Sequence, residues 1–77
     1  QGGTDLQVGA EDAKALVAAA PGAEYLAIPA MNHVLKDIAG GDVAANRASY
    51  ADPSLAVSPA LVDGIAAFIT DFRKAIR

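Results

Sequence analysis

Asp5 and His33 are the two residues whose types and positions could together do acid–base chemistry. His33 is the only histidine, and imidazole is the side chain whose unperturbed charge change falls between about pH 5 and 8. A carboxylate that accepts the imidazole Nδ1–H fixes the ring's tautomer and orientation. It also stabilises the imidazolium that forms when Nε2 takes a proton from a nucleophile. Replacing such a carboxylate by an amide costs about 10⁴ in turnover, roughly 5.5 kcal/mol of barrier. What the pair lacks is its nucleophile. No Gly-x-Ser-x-Gly occurs in the 77 residues, and there is no cysteine to substitute.

The elements around the pair must bring it together. Residues 1–9, QGGTDLQVG, read as a tight loop. Residues 10–20 read as a helix, with Glu11 and Asp12 in the first turn, where the dipole favours negative charge. Ala13, Leu16, Val17 and Ala20 give it one narrow apolar face. Pro21-Gly22 stops it. Residues 24–29, EYLAIP, form a nearly continuous apolar run, which suits a strand buried on both faces of a parallel sheet. Its partner strand is expected to precede Gln1, giving a βαβ crossover. Asp5 and His33 then follow the C-terminal ends of neighbouring parallel strands, about 4.8 Å apart, on the edge where open α/β sheets place their sites.

Residues 30–57 read as a long loop with a weak helical turn over 42–50. Residues 58–76 read as a helix, with Ser58 as N-cap and Pro59 in the first helical position. Leu61, Ile65, Phe68, Ile69, Phe72 and Ile76 form its amphipathic stripe. Phe68 and Phe72 are expected in the core. Such a face needs a larger packing surface than one strand supplies. The expected fold class is therefore α/β, with most of the sheet missing.

Composition narrows the classes. The hydrophobic fraction is 53%, but 19 residues are alanine, which leaves a thin supply for a core. The net charge of −3 argues against nucleic acid. Arg73, Lys74 and Arg77 gather where the last helix ends, matching its dipole. No apolar run reaches the ~18–20 residues of a membrane span. Residues 1–30 lack the basic and apolar regions of a signal peptide. Absence of cysteine is compatible with the cytoplasm, the expected location. No disulfide framework, metal cluster or cofactor is expected. The start at Gln1 fits a processed or truncated product.

GGTDLQVGAEDAKAL followed by AIPAMNHVLKD resembles the C-terminal end of an α/β-hydrolase of the esterase, lipase and serine-aminopeptidase-like group. In that family the triad runs nucleophile, acid, histidine along the chain. Gly2, Asp5 and Val8 match the Gly-x-x-Asp-x-x-Val pattern of the acid, and Met31-Asn32-His33 matches the histidine segment. SYADPSLAVSPALVDGIAAFI resembles the lead into the family's final helix, so the likeness covers residues 1–72. The resemblance implies that residues 1–77 are the C-terminal part of a single domain. They would supply the acid Asp5 and the base His33 of a serine hydrolase cleaving carboxylic esters, with amides as the next choice. The nucleophile and oxyanion hole would lie in the missing N-terminal part, and this chain alone would be inactive.

Blander readings stand beside this one. His33 could be a surface turn histidine and Asp5 a turn former. Asp37 is a rival acid that reads better as a solvated loop charge. Asn32 and Met31 shape the turn. Ser49, Ser54 and Ser58 lie on no strand–turn–helix elbow, and Tyr50 lines a pocket or packs. Asp5 with His33 makes only two metal ligands, too few for a site. A rival from another class is a small non-catalytic interaction module that offers the helix 58–76 to a partner groove.

Overall fold

The computed structural model describes residues 1–75; Ile76 and Arg77 lie outside the described residues. Among the described residues three α-helices follow one another: α1 (Ala10–Ala19), α2 (Val43–Ala48) and α3 (Pro59–Ala75). Short 3₁₀ turns cover Ala39–Gly41 and Ser49–Ala51.

This architecture overturns the α/β expectation. There is no sheet among the described residues, and the strand expected over 24–29 does not form. The βαβ crossover is absent with it. Only isolated bridges remain, Gly2 with Ile28 in parallel and Met31 with Asp37 in antiparallel. The physical reason is a missing partner. A strand exists through its ladder, and only the backbone of residues 1–4 lies alongside the segment, bonding it at one end. Gly3 N–H donates to the Ile28 carbonyl at 2.9 Å, and Ile28 N–H to the Gln1 carbonyl at 3.0 Å. The described residues are thus all-helical in their regular structure, with structured loops between the helices.

The helices start where the sequence says they should, but not always by the expected means. Gly9 precedes α1 and offers no side-chain cap, so Glu11 and Asp12 are what meets its positive end. Asp42 caps α2, with Oδ1 accepting from Ala44 N–H at 2.9 Å and Ala45 N–H at 3.3 Å. Pro59 opens α3 after Ser58, whose carbonyl accepts from the amides of Leu61 and Val62. The Ser58 hydroxyl, expected to cap, is buried without a hydrogen-bond partner.

The apolar core is small: Ile28, Met31 and Ile38 are the buried hydrophobics among the described residues. They flank the loop that carries His33. Phe68 and Phe72, expected in the core, are 48% and 56% exposed, and Leu16 of α1 is 72% exposed. Without a sheet, nothing among the described residues covers these faces. What fills the interior instead is polar: Asn32, Asn46, Ser49 and Ser58 are all buried.

Candidate functional site

Asp5 is placed by close backbone packing. Gly2 is buried, and a Cβ there would collide with the Met31 carbonyl. A Cβ on Gly3 would collide with the Pro29 carbonyl. The two glycines therefore let residues 1–4 lie against 28–31. Thr4 N–H donates to the Met31 carbonyl at 3.0 Å, and the Thr4 hydroxyl to the Ala30 carbonyl at 3.0 Å. The next residue is Asp5. Its Oδ1 accepts from Gln7 N–H at 2.8 Å and Val8 N–H at 2.9 Å, an arrangement that closes the turn on its own carboxylate.

His33 is placed by a loop built on Asn32. The antiparallel bridge of Met31 with Asp37 closes the loop's base, and Ile38 N–H donates to the Ala30 carbonyl at 2.8 Å. Asn32 uses every hydrogen-bonding position it has. Its Oδ1 accepts from Val34 N–H at 3.1 Å and Lys36 N–H at 3.0 Å. Its Nδ2 donates to Asn46 Oδ1 at 3.1 Å and Ser49 Oγ at 2.7 Å. These bonds hold Leu35 in the left-handed region, φ 68°, which costs a non-glycine residue about 1–2 kcal/mol. The Leu35 carbonyl then accepts from Ser58 N–H at 2.7 Å and ties the loop to the start of α3.

The two loops bring the predicted pair together. His33 Nδ1 lies 3.0 Å from Asp5 Oδ2. An ionised carboxylate only accepts, so Nδ1 is the donor, and in the neutral ring Nε2 is left as the acceptor. No hydrogen bond engages Nε2 among the described residues. The Asp5 side chain is 9% exposed and that of His33 39%. The acid is thus sheltered, while the imidazole still reaches solvent. Burial pushes the Asp5 carboxyl up. The Val8 and Gln7 amides, then the hydrogen bond and charge of His33, more than offset this and hold it below the usual carboxylate value.

None of the three serines bonds to His33 among the described residues. Ser49 is buried and donates to the Asn46 carbonyl at 2.6 Å. Ser54 donates to Asp52 Oδ1 at 2.5 Å. Ser58 is fully buried. Asp37 pairs with Met31 through its backbone, and no hydrogen bond joins it to His33. Tyr50 accepts from Gln7 Nε2 at 3.1 Å, two residues beyond Asp5. No group of three or more potential metal ligands occurs among the described residues.

The sequence marks Asn32 as shaping the turn; it does not single out Asn46 and Lys36, which also organise the site. Asn46 Nδ2 donates to the Thr4 carbonyl at 2.6 Å. Lys36 Nζ donates to the carbonyls of Ser49 and Asp52, at 2.8 and 2.5 Å, and so closes the end of the 3₁₀ turn that follows α2. An isolated Asn or Lys in a polar stretch carries no periodic signal, so only the folded loop reveals these roles.

A separate groove of about 720 Å³ runs between α1 and α3. Leu16, Val17, Leu26, Ile65 and Phe68 line it, and neither Asp5 nor His33 does. Its apolar walls are the uncovered helix faces, away from the acid–base pair. No helix among the described residues is long and apolar enough to cross a membrane. Comparison with known protein families, with curated proteins and with solved structures finds no match to this chain.

Proposed function

We propose that Asp5 and His33 are the acid and the general base of a Ser-His-Asp triad that hydrolyses carboxylic esters, with amides as the second substrate class. The observation that carries this reading is the 3.0 Å contact between Asp5 Oδ2 and His33 Nδ1, which leaves Nε2 free to accept a proton. The resemblance of residues 1–72 to the esterase and lipase group supports it. This reading requires an attacking serine from outside the described residues, because none of the three serines here bonds to His33.

The chemistry assigned to this chain is limited and definite. His33 Nε2 takes the proton of the serine hydroxyl as it attacks the ester carbonyl. It then gives that proton to the leaving alkoxide, and an acyl-enzyme forms. In the second half His33 Nε2 takes a proton from water as it attacks the acyl carbon, then gives that proton to the departing serine oxygen, which releases the carboxylic acid and restores the serine. Asp5 keeps Nδ1 protonated throughout and stabilises the transient imidazolium. It does not itself take the proton.

The test is His33→Ala in the protein that carries the nucleophile, assayed with a p-nitrophenyl ester. Turnover is expected to fall to the residual level left by binding and oxyanion stabilisation. Activity within tenfold of the parent would sink the assignment. A second reading is favoured by one observation, the exposure of Ile65, Phe68, Ile69 and Phe72 along α3. It makes the chain an interaction module whose apolar helix face docks in a partner's groove, with Asp5 and His33 as ordinary loop residues.

A further inference from the structure

We propose that Asn46 of α2 is a positioning residue that sets the geometry of the Asp5–His33 pair. One buried amide grips both loops. Its Nδ2 donates to the carbonyl of Thr4, the residue before Asp5, at 2.6 Å. Its Oδ1 accepts from Nδ2 of Asn32, the residue before His33, at 3.1 Å. A carbonyl oxygen only accepts, so the Thr4 contact alone decides which end of the Asn46 amide faces which loop.

The arrangement leaves each loop little freedom to move on its own. Thr4 is held on both backbone groups: its N–H by the Met31 carbonyl and its carbonyl by Asn46. The peptide joining Thr4 to Asp5 carries the Thr4 carbonyl, held by Asn46, and the Asp5 N–H, which donates to the Gly2 carbonyl at 3.4 Å, so it cannot rotate without breaking these bonds. Asn32 is likewise anchored from within α2 by Asn46 and from the following turn by Ser49. Asn46 is only 2% exposed, so water does not replace its bonds readily. Shortening or removing this side chain leaves the Thr4 carbonyl and the Asn32 amide without their common partner. The distance between Asp5 Oδ2 and His33 Nδ1 is then no longer held from the α2 side. No hydrogen bond joins Asn46 to His33 or Asp5 among the described residues, so Asn46 takes no part in proton transfer.

The inference rests on the proposed function only for what the pair is used for. The geometry is measured without turnover, so a protein that hydrolyses nothing can still show it. The chain has a single histidine, so ¹⁵N NMR of the 77-residue protein reports His33 alone. At a pH where the ring is neutral, the parent is expected to show one tautomer, with Nδ1 protonated and Nε2 bare. In Asn46→Ala the two nitrogen signals are expected to converge, as they do for a ring exchanging between tautomers. Asn46→Asp keeps an acceptor for Asn32 but loses the donor to Thr4, and is expected to give partial convergence. Ile38→Ala removes a buried apolar side chain with no polar link to either loop, and is expected to keep the parent pattern. Folded Asn46 variants that retain the single tautomer overturn the proposal. So does convergence in Ile38→Ala as large as in Asn46→Ala, or a parent ring that is already averaged. Unfolding of both Asn46 variants also overturns it, since Asn46 would then be a keystone of the fold rather than a positioning residue.

Discussion

Replacing Asp5 by asparagine exchanges one carboxylate oxygen for an amide nitrogen and changes the size of the side chain hardly at all. The structure decides which atom becomes the nitrogen. Oδ1 accepts from two backbone amides, Gln7 N–H at 2.8 Å and Val8 N–H at 2.9 Å. An NH₂ group there would face two donors, so the oxygen of the new amide must occupy that position. The nitrogen is then forced opposite His33 Nδ1, where Oδ2 now sits at 3.0 Å. Facing a donor, Nδ1 has to become the acceptor, and the ring proton moves to Nε2. A protonated Nε2 cannot take a proton from the serine. The expected loss in turnover is about 10⁴-fold, or roughly 5.4 kcal/mol of barrier at 1.36 kcal/mol per tenfold. The assay is kcat for a p-nitrophenyl ester in the protein that carries the nucleophile, read beside the ¹⁵N spectrum of His33. Turnover within tenfold of the parent, or a ring still protonated at Nδ1, would refute the reasoning.

The remaining expectations concern stability and surface. Gly2→Ala places a methyl group against the Met31 carbonyl, a backbone atom that cannot swing aside. A loss of about 2–3 kcal/mol in urea denaturation is expected, and a loss under ~0.5 kcal/mol would mean the two segments do not pack this closely. The Asp5 carboxyl is held below its ordinary value of 3.8 in the folded chain. Between the two values the unfolded state binds more protons, so stability falls as pH falls. The contribution is whole above that ordinary value and is lost as pH drops through the folded one. Stability measured from pH 5 to pH 2 should decline less steeply in Asp5→Asn. Asp52 adds a decline of the same sign in both proteins, because the Ser54 hydroxyl and amide lower its carboxyl too. Finally, Phe68 is half exposed, so Phe68→Ser should cost under ~1 kcal/mol rather than the ~3–5 kcal/mol of a buried phenylalanine. A thermal shift of the larger size would show that α3 is covered.

Asp5 and His33 were legible as candidates because each sits in a turn with its own local chemistry, but the parallel strands expected to bring them together do not form. A Gly-Gly-Thr-Asp turn and a Met-Asn-His turn each carry their own local chemistry, and one helix with an extended segment separates them. The helix starts were legible for the same reason: acidic residues and proline act within one turn. The sheet was misjudged because a strand is not a local object. EYLAIP has the composition of a buried strand, yet its backbone needs a neighbouring ladder, and the described residues provide a single parallel bridge, at Ile28. Phe68 and Phe72 were misjudged with it. A clean helical stripe states which face is apolar, not whether anything covers that face.

By itself, then, the sequence determined the identities and spacing of Asp5 and His33, the positions of α1 and α3, and the absence of cysteine chemistry. The 3.0 Å meeting of the pair, the left-handed Leu35 and the buried bonds of Asn32 and Asn46 were decided only by the tertiary structure. The reason is that each depends on groups far apart in the chain. A buried amide is stable only where every donor and acceptor finds its partner, and no pattern along one segment records where those partners will be.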